Sequence, residues 1–259
     1  MTHSPFIIAI ANEKGGVAKT TTALSLGGGL VEAGKSVLLI DLDAQSDLTI
    51  ALGVNPNIQM NSIHDLFMDG KDIQSLTIET GIPKLFLLPA NINLLELEKF
   101  LNALPDGENR LREQLRISTL KYDFILLDCP PHLGSLTMNA LTAANLIIMP
   151  TQAEYFSIYA LRSMMKIVKE LREKVNPNLT YRLLITQFDG RSRIHRTMSE
   201  HLQKVFGSGV LSSRIEMDTK LRESQIAGMP IIFHSPKCRS AMQYRALSQE
   251  ILDYAQEKA

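Results

Sequence analysis

The chain has 259 residues, 45% hydrophobic and 21% charged, the balance of a globular protein with a sizeable core. Its 27 basic and 27 acidic residues cancel, so net charge points to no polyanionic partner, although a local basic face is compatible with a zero sum. No apolar run approaches the ~18 residues of a membrane span. The opening "MTHSPFIIAIAN" lacks the basic segment of a signal peptide, and two cysteines, Cys129 and Cys238, make no disulfide framework, so a reducing cytoplasm is the expected setting.

In chain order, strands are expected at 6–11, 36–41, 84–89, 123–128, 145–150 and 181–186. Each is nearly continuous in apolar residues, as a strand covered on both faces requires. The less regular region 55–120 holds two helical stretches, "PANINLLELEKFL" and "GENRLREQLRISTL", joined by a turn at "LPDGEN" and expected to cover one edge of the sheet. Over 156–174, Ile158, Leu161, Met165, Val168 and Leu171 recur at helical spacing, and the methionines read as core filling. Strand–helix alternation without linker or repeat implies one domain over 1–259: an α/β, doubly wound, mostly parallel sheet flanked by helices.

The chemistry concentrates in "IAIANEKGGVAKTTTALSL", residues 8–26. A strand, a glycine-containing loop and a helix aim backbone N–H groups and a helix dipole at one point, a site for phosphate. The loop departs from G-x-x-x-x-G-K-[ST]: Glu13 and Ala18 stand where that pattern has glycines, and a second lysine, Lys14, precedes Gly15 and Gly16. The loop Lys14, Gly15, Gly16, Val17, Ala18 would cradle phosphates, with Lys19 on the terminal ones and Thr20 and Thr21 opening the helix. The Thr20 hydroxyl would coordinate Mg²⁺. Ala18 costs little there, provided its backbone is helical or extended.

"LLIDLDAQSD" ends the next strand with Asp41 and Asp43, and "FILLDCPP" ends a later one with Asp128. Ligands of open parallel sheets lie off the carboxyl ends of strands, so these three carboxylates form a set for Mg²⁺ and water. Gly27, Gly28 and Gly29 fall in mid-helix at a cost of ~1 kcal/mol each, which points to close packing on the sheet or on a partner chain.

"KGGVAKTT" resembles the deviant Walker A motif, K-G-G-x-x-K-[ST], of the ParA/MinD family of P-loop ATPases. "LLIDLDAQSDLT" is similar to that family's Walker A′ segment and "DFILLDCPPHLGSLTMNALTAANLIIMP" to its Walker B region and the strand beyond. "ITQFDGRS" and "KLRESQIAGMPIIFHSPKCRSAMQYRALSQEI" resemble the C-terminal third of its short ParA/Soj-type DNA-partitioning members. The resemblance implies an ATPase with ATP and Mg²⁺ as cofactors, closing on ATP into a homodimer in which Lys14 reaches the partner's nucleotide. It implies that Asp128, and with it Asp41, hold Mg²⁺ through water, and that Asp43 positions the attacking water. Adenine contacts fall on Met217 and Asp218 in "IEMDTKL", where the family usually has "IPRN".

It also implies a ParB-like adaptor, nucleoid association and non-specific binding to double-stranded DNA. The basic candidates are Arg191, Arg193 and Arg196 in "GRSRIHR", Lys220 and Arg222 in "KLR", Lys237 and Arg239 in "PKCR", and Arg245. Lys220 replaces a usual arginine, and Arg222 has no counterpart in the family. The first strand begins by residue 6, so no helix-turn-helix extension and no operator-specific binding are expected. A MinD-like membrane ATPase would end in a basic amphipathic helix, whereas "LSQEILDYAQEKA" is acidic and weakly apolar. A ParA-like ATPase that positions a protein compartment or chemoreceptor array is the alternative within the same chemistry.

Overall fold

The computed structural model describes residues 4–59, 61–118 and 120–258. The strands are β1 (Phe6–Ile10), β2 (Val37–Asp41), β3 (Ile78–Glu79), β4 (Leu85–Leu88), β5 (Phe124–Asp128), β6 (Leu146–Gln152), β7 (Thr180–Phe188) and β8 (Val210–Glu216). The helices are α1 (Lys19–Glu32), α2 (Asp47–Ile50), α3 (Ile63–Met68), α4 (Ile73–Leu76), α5 (Leu94–Ala103) and α6 (Arg110–Ile117), then α7 (Ser135–Ala143), α8 (Ser157–Lys174), α9 (Arg193–Phe206), α10 (Thr219–Ile226), α11 (Ile231–His234) and α12 (Arg239–Lys258).

These strands form one sheet in the order β3-β4-β2-β5-β1-β6-β7-β8. Every pairing is parallel except β3 with β4. Residues 37–41 and 124–128 are buried throughout, as the unbroken apolar runs require of strands with helices on both faces. One face carries Leu38, Ile40, Ile125 and Leu127 against α3 to α9; the other carries Leu39, Leu126 and Ile148 against α1, α11 and α12.

The six expected strands are present, and two more were not anticipated. β3 is only two residues long, and β8 interrupts its apolar residues with exposed Ser212 and Arg214. The two helical stretches of 55–120 form α5 and α6. They do not line an edge: Leu94, Leu97, Leu111 and Leu115 pack with Leu136 and Ala140 of α7 over one face, and β3 occupies the edge.

The glycines of α1 have a packing reason. A Cβ on Gly27 would lie 2.9 Å from Leu39 Cδ2 of the sheet, and one on Gly28 would lie 2.5 Å from Pro230 Cβ. A Cβ on Gly29 would collide with the Ser248 hydroxyl of α12. Helix α1 therefore sits closer to sheet, α11 and α12 than any side chain permits, and the phosphate loop at its start is fixed in turn.

Candidate functional site

β1 lies between β5 and β6, and its carboxyl end leads into the loop that precedes α1. Asn12 ties that loop down from inside: its Nδ2 donates to the Pro150 carbonyl at 2.8 Å, and its Oδ1 accepts from the Lys14 amide at 3.0 Å. From β7, Thr186 Oγ1 donates to the Val17 carbonyl at 3.0 Å and Gln187 Nε2 to the Gly16 carbonyl at 2.7 Å. Trans peptide planarity then turns the amides of Val17 and Ala18 the opposite way, available to an anion.

Gly16 takes φ +71°. Ala18 takes φ 68°, ψ 38°, which corrects the expectation of an ordinary backbone there. A left-handed residue with a Cβ is strained by roughly 1–2 kcal/mol, so the glycine of the common pattern has a conformational reason at this position.

Lys19 is almost wholly buried, and its Nζ lies 3.4 Å from the Lys14 carbonyl. Burial pushes its ammonium below the usual lysine range, while Asp128, Cys129 and Asp43 nearby pull it back. Asp41 and Asp128 pair in the register of β2 and β5. Asp41 Oδ2 accepts from the Thr49 amide at 2.9 Å and the Thr49 hydroxyl at 2.7 Å, and its Oδ1 accepts from the Asp43 amide at 3.1 Å. Asp128 is equally buried, yet neither carboxyl oxygen has a hydrogen-bond partner among the described residues. Burial raises both carboxyls above the usual range. Asp41 adds to the rise at Asp128, and the Thr20 hydroxyl and Lys19 ammonium beside it offset part of it.

An unpartnered buried carboxylate next to a threonine hydroxyl at a phosphate loop fits Mg²⁺, which takes one or two protein oxygens and completes its shell with phosphate and water. Among the described residues no cluster of three His, Cys, Asp or Glu forms a metal cage by itself.

Two cavities adjoin at Gly16, Ala18, Thr21 and Gln225. One, of about 490 Å³, reaches Lys19, Thr20, Asp43 and Pro131. The other, of about 420 Å³, reaches Thr186, Gln187, Met217 and Asp218. A larger hollow of about 820 Å³ lies around Ser4, Arg116 and Tyr122 at the amino ends of the strands and touches none of the phosphate loop. Met217 is 58% exposed and walls the second cavity. The Asp218 carboxylate is engaged elsewhere, accepting from the Lys220 amide at 3.0 Å and the Ser240 hydroxyl at 2.8 Å. Sequence reasoning missed Thr186, Gln187 and Gln225, although "ITQ" at the end of a strand carried a signal for the first two.

Lys14 lies outside this trough. Its Nζ donates to Gln152 Oε1 at 2.6 Å and pairs with Glu154 Oε2 at 2.7 Å, beside a shallow hollow that includes His132, Phe156 and Tyr159. The basic candidates stem from the carboxyl ends of β7 and β8 and the start of α12. Arg193 and Lys237 are exposed. Arg191 forks onto Asp189 at 3.0 and 3.1 Å, Lys220 pairs with Glu223 at 2.6 Å, and Arg239 pairs with Glu216 at 2.7 Å.

The chain matches the family described as AAA domain over residues 6–181. It is 35% identical over 246 residues to the sporulation initiation inhibitor protein Soj of Bacillus subtilis, covering 95% of this chain and 97% of Soj. It is 31% identical over 255 residues to the chromosome partitioning protein ParA of Caulobacter vibrioides, covering 97% and 96%. Among solved structures, cobyrinic acid a,c-diamide synthase of Mycobacterium smegmatis with bound ATP analog and magnesium superposes with a TM-score of 0.86 at 30% identity, covering 98% of this chain and 97% of that one. Loop, strand-end carboxylates, sheet order and near full-length similarity agree: the chain belongs to the ParA/MinD family of ATPases, whose cofactors are ATP and Mg²⁺, and within it to the ParA/Soj type.

Proposed function

We propose that this chain is a Mg²⁺-dependent ATPase that closes on ATP into a homodimer, binds double-stranded DNA without sequence preference, and partitions plasmid or chromosome with a ParB-like adaptor. The position of Lys14 carries this reading. Lys19 already supplies a cation inside the trough, whereas Lys14 is held on the outside of the same loop by Gln152 and Glu154. A second lysine turned outward suits a phosphate on another protomer, where it acts as an arginine finger does in trans.

In this reading the amides of Gly16 to Ala18 and the Lys19 ammonium hold the β- and γ-phosphates. Thr20 would hold the metal directly and Asp128 through water; the bound ion would neutralise charge that develops on the phosphates. Asp43 orients the attacking water at the mouth of the phosphate half. The bonds of Asp41 to Thr49 and to the Asp43 amide favour a positioning role for it over a share in the metal. The base lies toward Met217. Arg191, Arg193, Lys220, Lys237 and Arg239 meet DNA phosphates, and the setting is cytoplasmic and nucleoid-associated. Among the described residues no helix is long and apolar enough to cross a membrane.

Light scattering with Mg²⁺ and a non-hydrolysable ATP analogue tests the dimer. The mass should double for the wild type and stay at one protomer for Lys14→Ala; a monomeric wild type at saturation overturns the reading. For DNA, log affinity should fall linearly with log salt, and replacing Arg191 and Lys237 should make that slope shallower by ~1 per lost contact.

A further inference from the structure

Several cations of the basic face are paired with carboxylates of the same chain, and one of these pairs touches the trough. Arg239 donates from Nη2 to the Met217 carbonyl at 2.6 Å while Nη1 pairs with Glu216 at 2.7 Å. The same two residues line the cavity that leads from the phosphate loop. Residue 218 extends the link, since its carboxylate both caps α10 and accepts from Ser240, the residue after Arg239. Three consecutive residues therefore face the trough on one side and grip the start of α12 on the other. Glu216 stands where the ParA/MinD pattern usually has the proline of "IPRN", so the acidic partner belongs to this chain.

We propose that Glu216 masks Arg239, and that occupancy of the cavity beside Met217 loosens this hold, making Arg239 available to an external phosphate. The inference rests on the DNA-binding reading above and names a regulator of it. Glu216 and Met217 take one donor on each of Nη1 and Nη2, so a phosphate seeking a two-pronged hold on that end of Arg239 competes with both, and a ligand pressing on Met217 moves one of those two partners. Coupling of this kind is reciprocal, so DNA must change nucleotide affinity by the same factor. The pair is half-exposed, with side chains 52% and 32% accessible. Exposed pairs contribute little, so the expected factor is about threefold to fivefold rather than an on–off switch.

Two measurements test it. The first needs no DNA: the rate of phenylglyoxal modification of Arg239, followed by mass spectrometry with and without Mg²⁺ and a non-hydrolysable ATP analogue. In the wild type the analogue should raise the rate about threefold; in Glu216→Gln the rate should be high in both conditions. A wild-type rate that is unchanged or lowered by the analogue overturns the proposal. The second is anisotropy with a short mixed-sequence duplex. Glu216→Gln should bind about threefold to fivefold more tightly than wild type without nucleotide, and equally well at saturating analogue. Glu223→Gln removes the same charge from the partner of Lys220 and should strengthen binding equally in both conditions. An equal rise in both conditions for Glu216→Gln reduces the effect to bulk charge and also overturns the proposal. Should the analogue expose Arg239 while the wild type binds no duplex, the DNA reading fails and the mask stands.

Discussion

Asp41 and Asp128 face each other across β2 and β5, both buried, and among the described residues the geometry gives hydrogen-bond partners to the Asp41 carboxylate alone of the two. Burial outweighs the Thr20 hydroxyl and the Lys19 ammonium beside Asp128 and favours its neutral acid, so the folded chain keeps protons that the unfolded chain releases near pH 4.

The sign of the pH dependence follows. Asp41 is pushed up to about 7 by burial, and Asp128 is raised as well. Between about pH 4 and pH 7 the folded state binds more protons than the unfolded, so stability falls as pH rises through that window. Asp128→Asn removes one titrating carboxyl of the pair. Urea midpoints measured without nucleotide at pH 5 and pH 8 should differ less in this variant than in the wild type. The variant should also be the more stable protein at pH 8 while losing Mg²⁺-dependent nucleotide binding. An unchanged difference between the two midpoints would show that Asp128 ionises normally.

Ala18→Gly should stabilise the protein. The substitution relieves the left-handed strain of roughly 1–2 kcal/mol and gives back about 0.4–1 kcal/mol through the greater freedom of the unfolded chain. A net gain of about 0.5–1 kcal/mol is expected by chemical denaturation. A loss of stability would mean that the strain is absent in solution.

Gly28→Ala should do the reverse of what helix propensity says. Propensity alone favours alanine by about 1 kcal/mol, but the new methyl would meet the Pro230 ring at 2.5 Å. Overpacking of this kind costs about 1–3 kcal/mol or more, and α11 cannot move without disturbing α1 and α12. The variant should melt below the wild type; a rise in melting temperature would show that Pro230 yields easily.

Asp43→Ala separates binding from turnover. The Asp43 carboxylate accepts the Gln45 amide at 2.9 Å and borders the phosphate half of the trough. The variant should bind a fluorescent ATP analogue within a few-fold of wild type and still dimerise. Phosphate release should fall by ~100-fold or more, the usual scale for losing a group that handles the reacting proton. Normal release would remove Asp43 from the reaction.

What could be read from the sequence was local. The phosphate loop announces itself through two glycines and a lysine between a strand and a helix, and Asp41, Asp43 and Asp128 through their places at strand ends. The left-handed backbone of Ala18 was not legible, because it follows from how Thr186 and Gln187, some 170 positions later, hold the Gly16 and Val17 carbonyls. The pairing of Arg239 with Glu216 was hidden for the same reason: "PKCR" reads as free charge until β8 brings Glu216 to it. Strand β8 itself escaped notice because its exposed serine and arginine break the apolar pattern on which the other strands were recognised.

The seat of α1 has a bearing on how the protein is made. Thr22 meets Tyr244 at 3.3 Å, Gly29 leaves room for Ser248, and β1 must wait for β5 and β6 on either side. The β1–α1 segment thus acquires its working shape only when α12, 222 positions further along between Thr22 and Tyr244, has been made. A prematurely terminated chain lacking α12 would carry the entire nucleotide motif in its sequence and still have no firm cradle for a triphosphate.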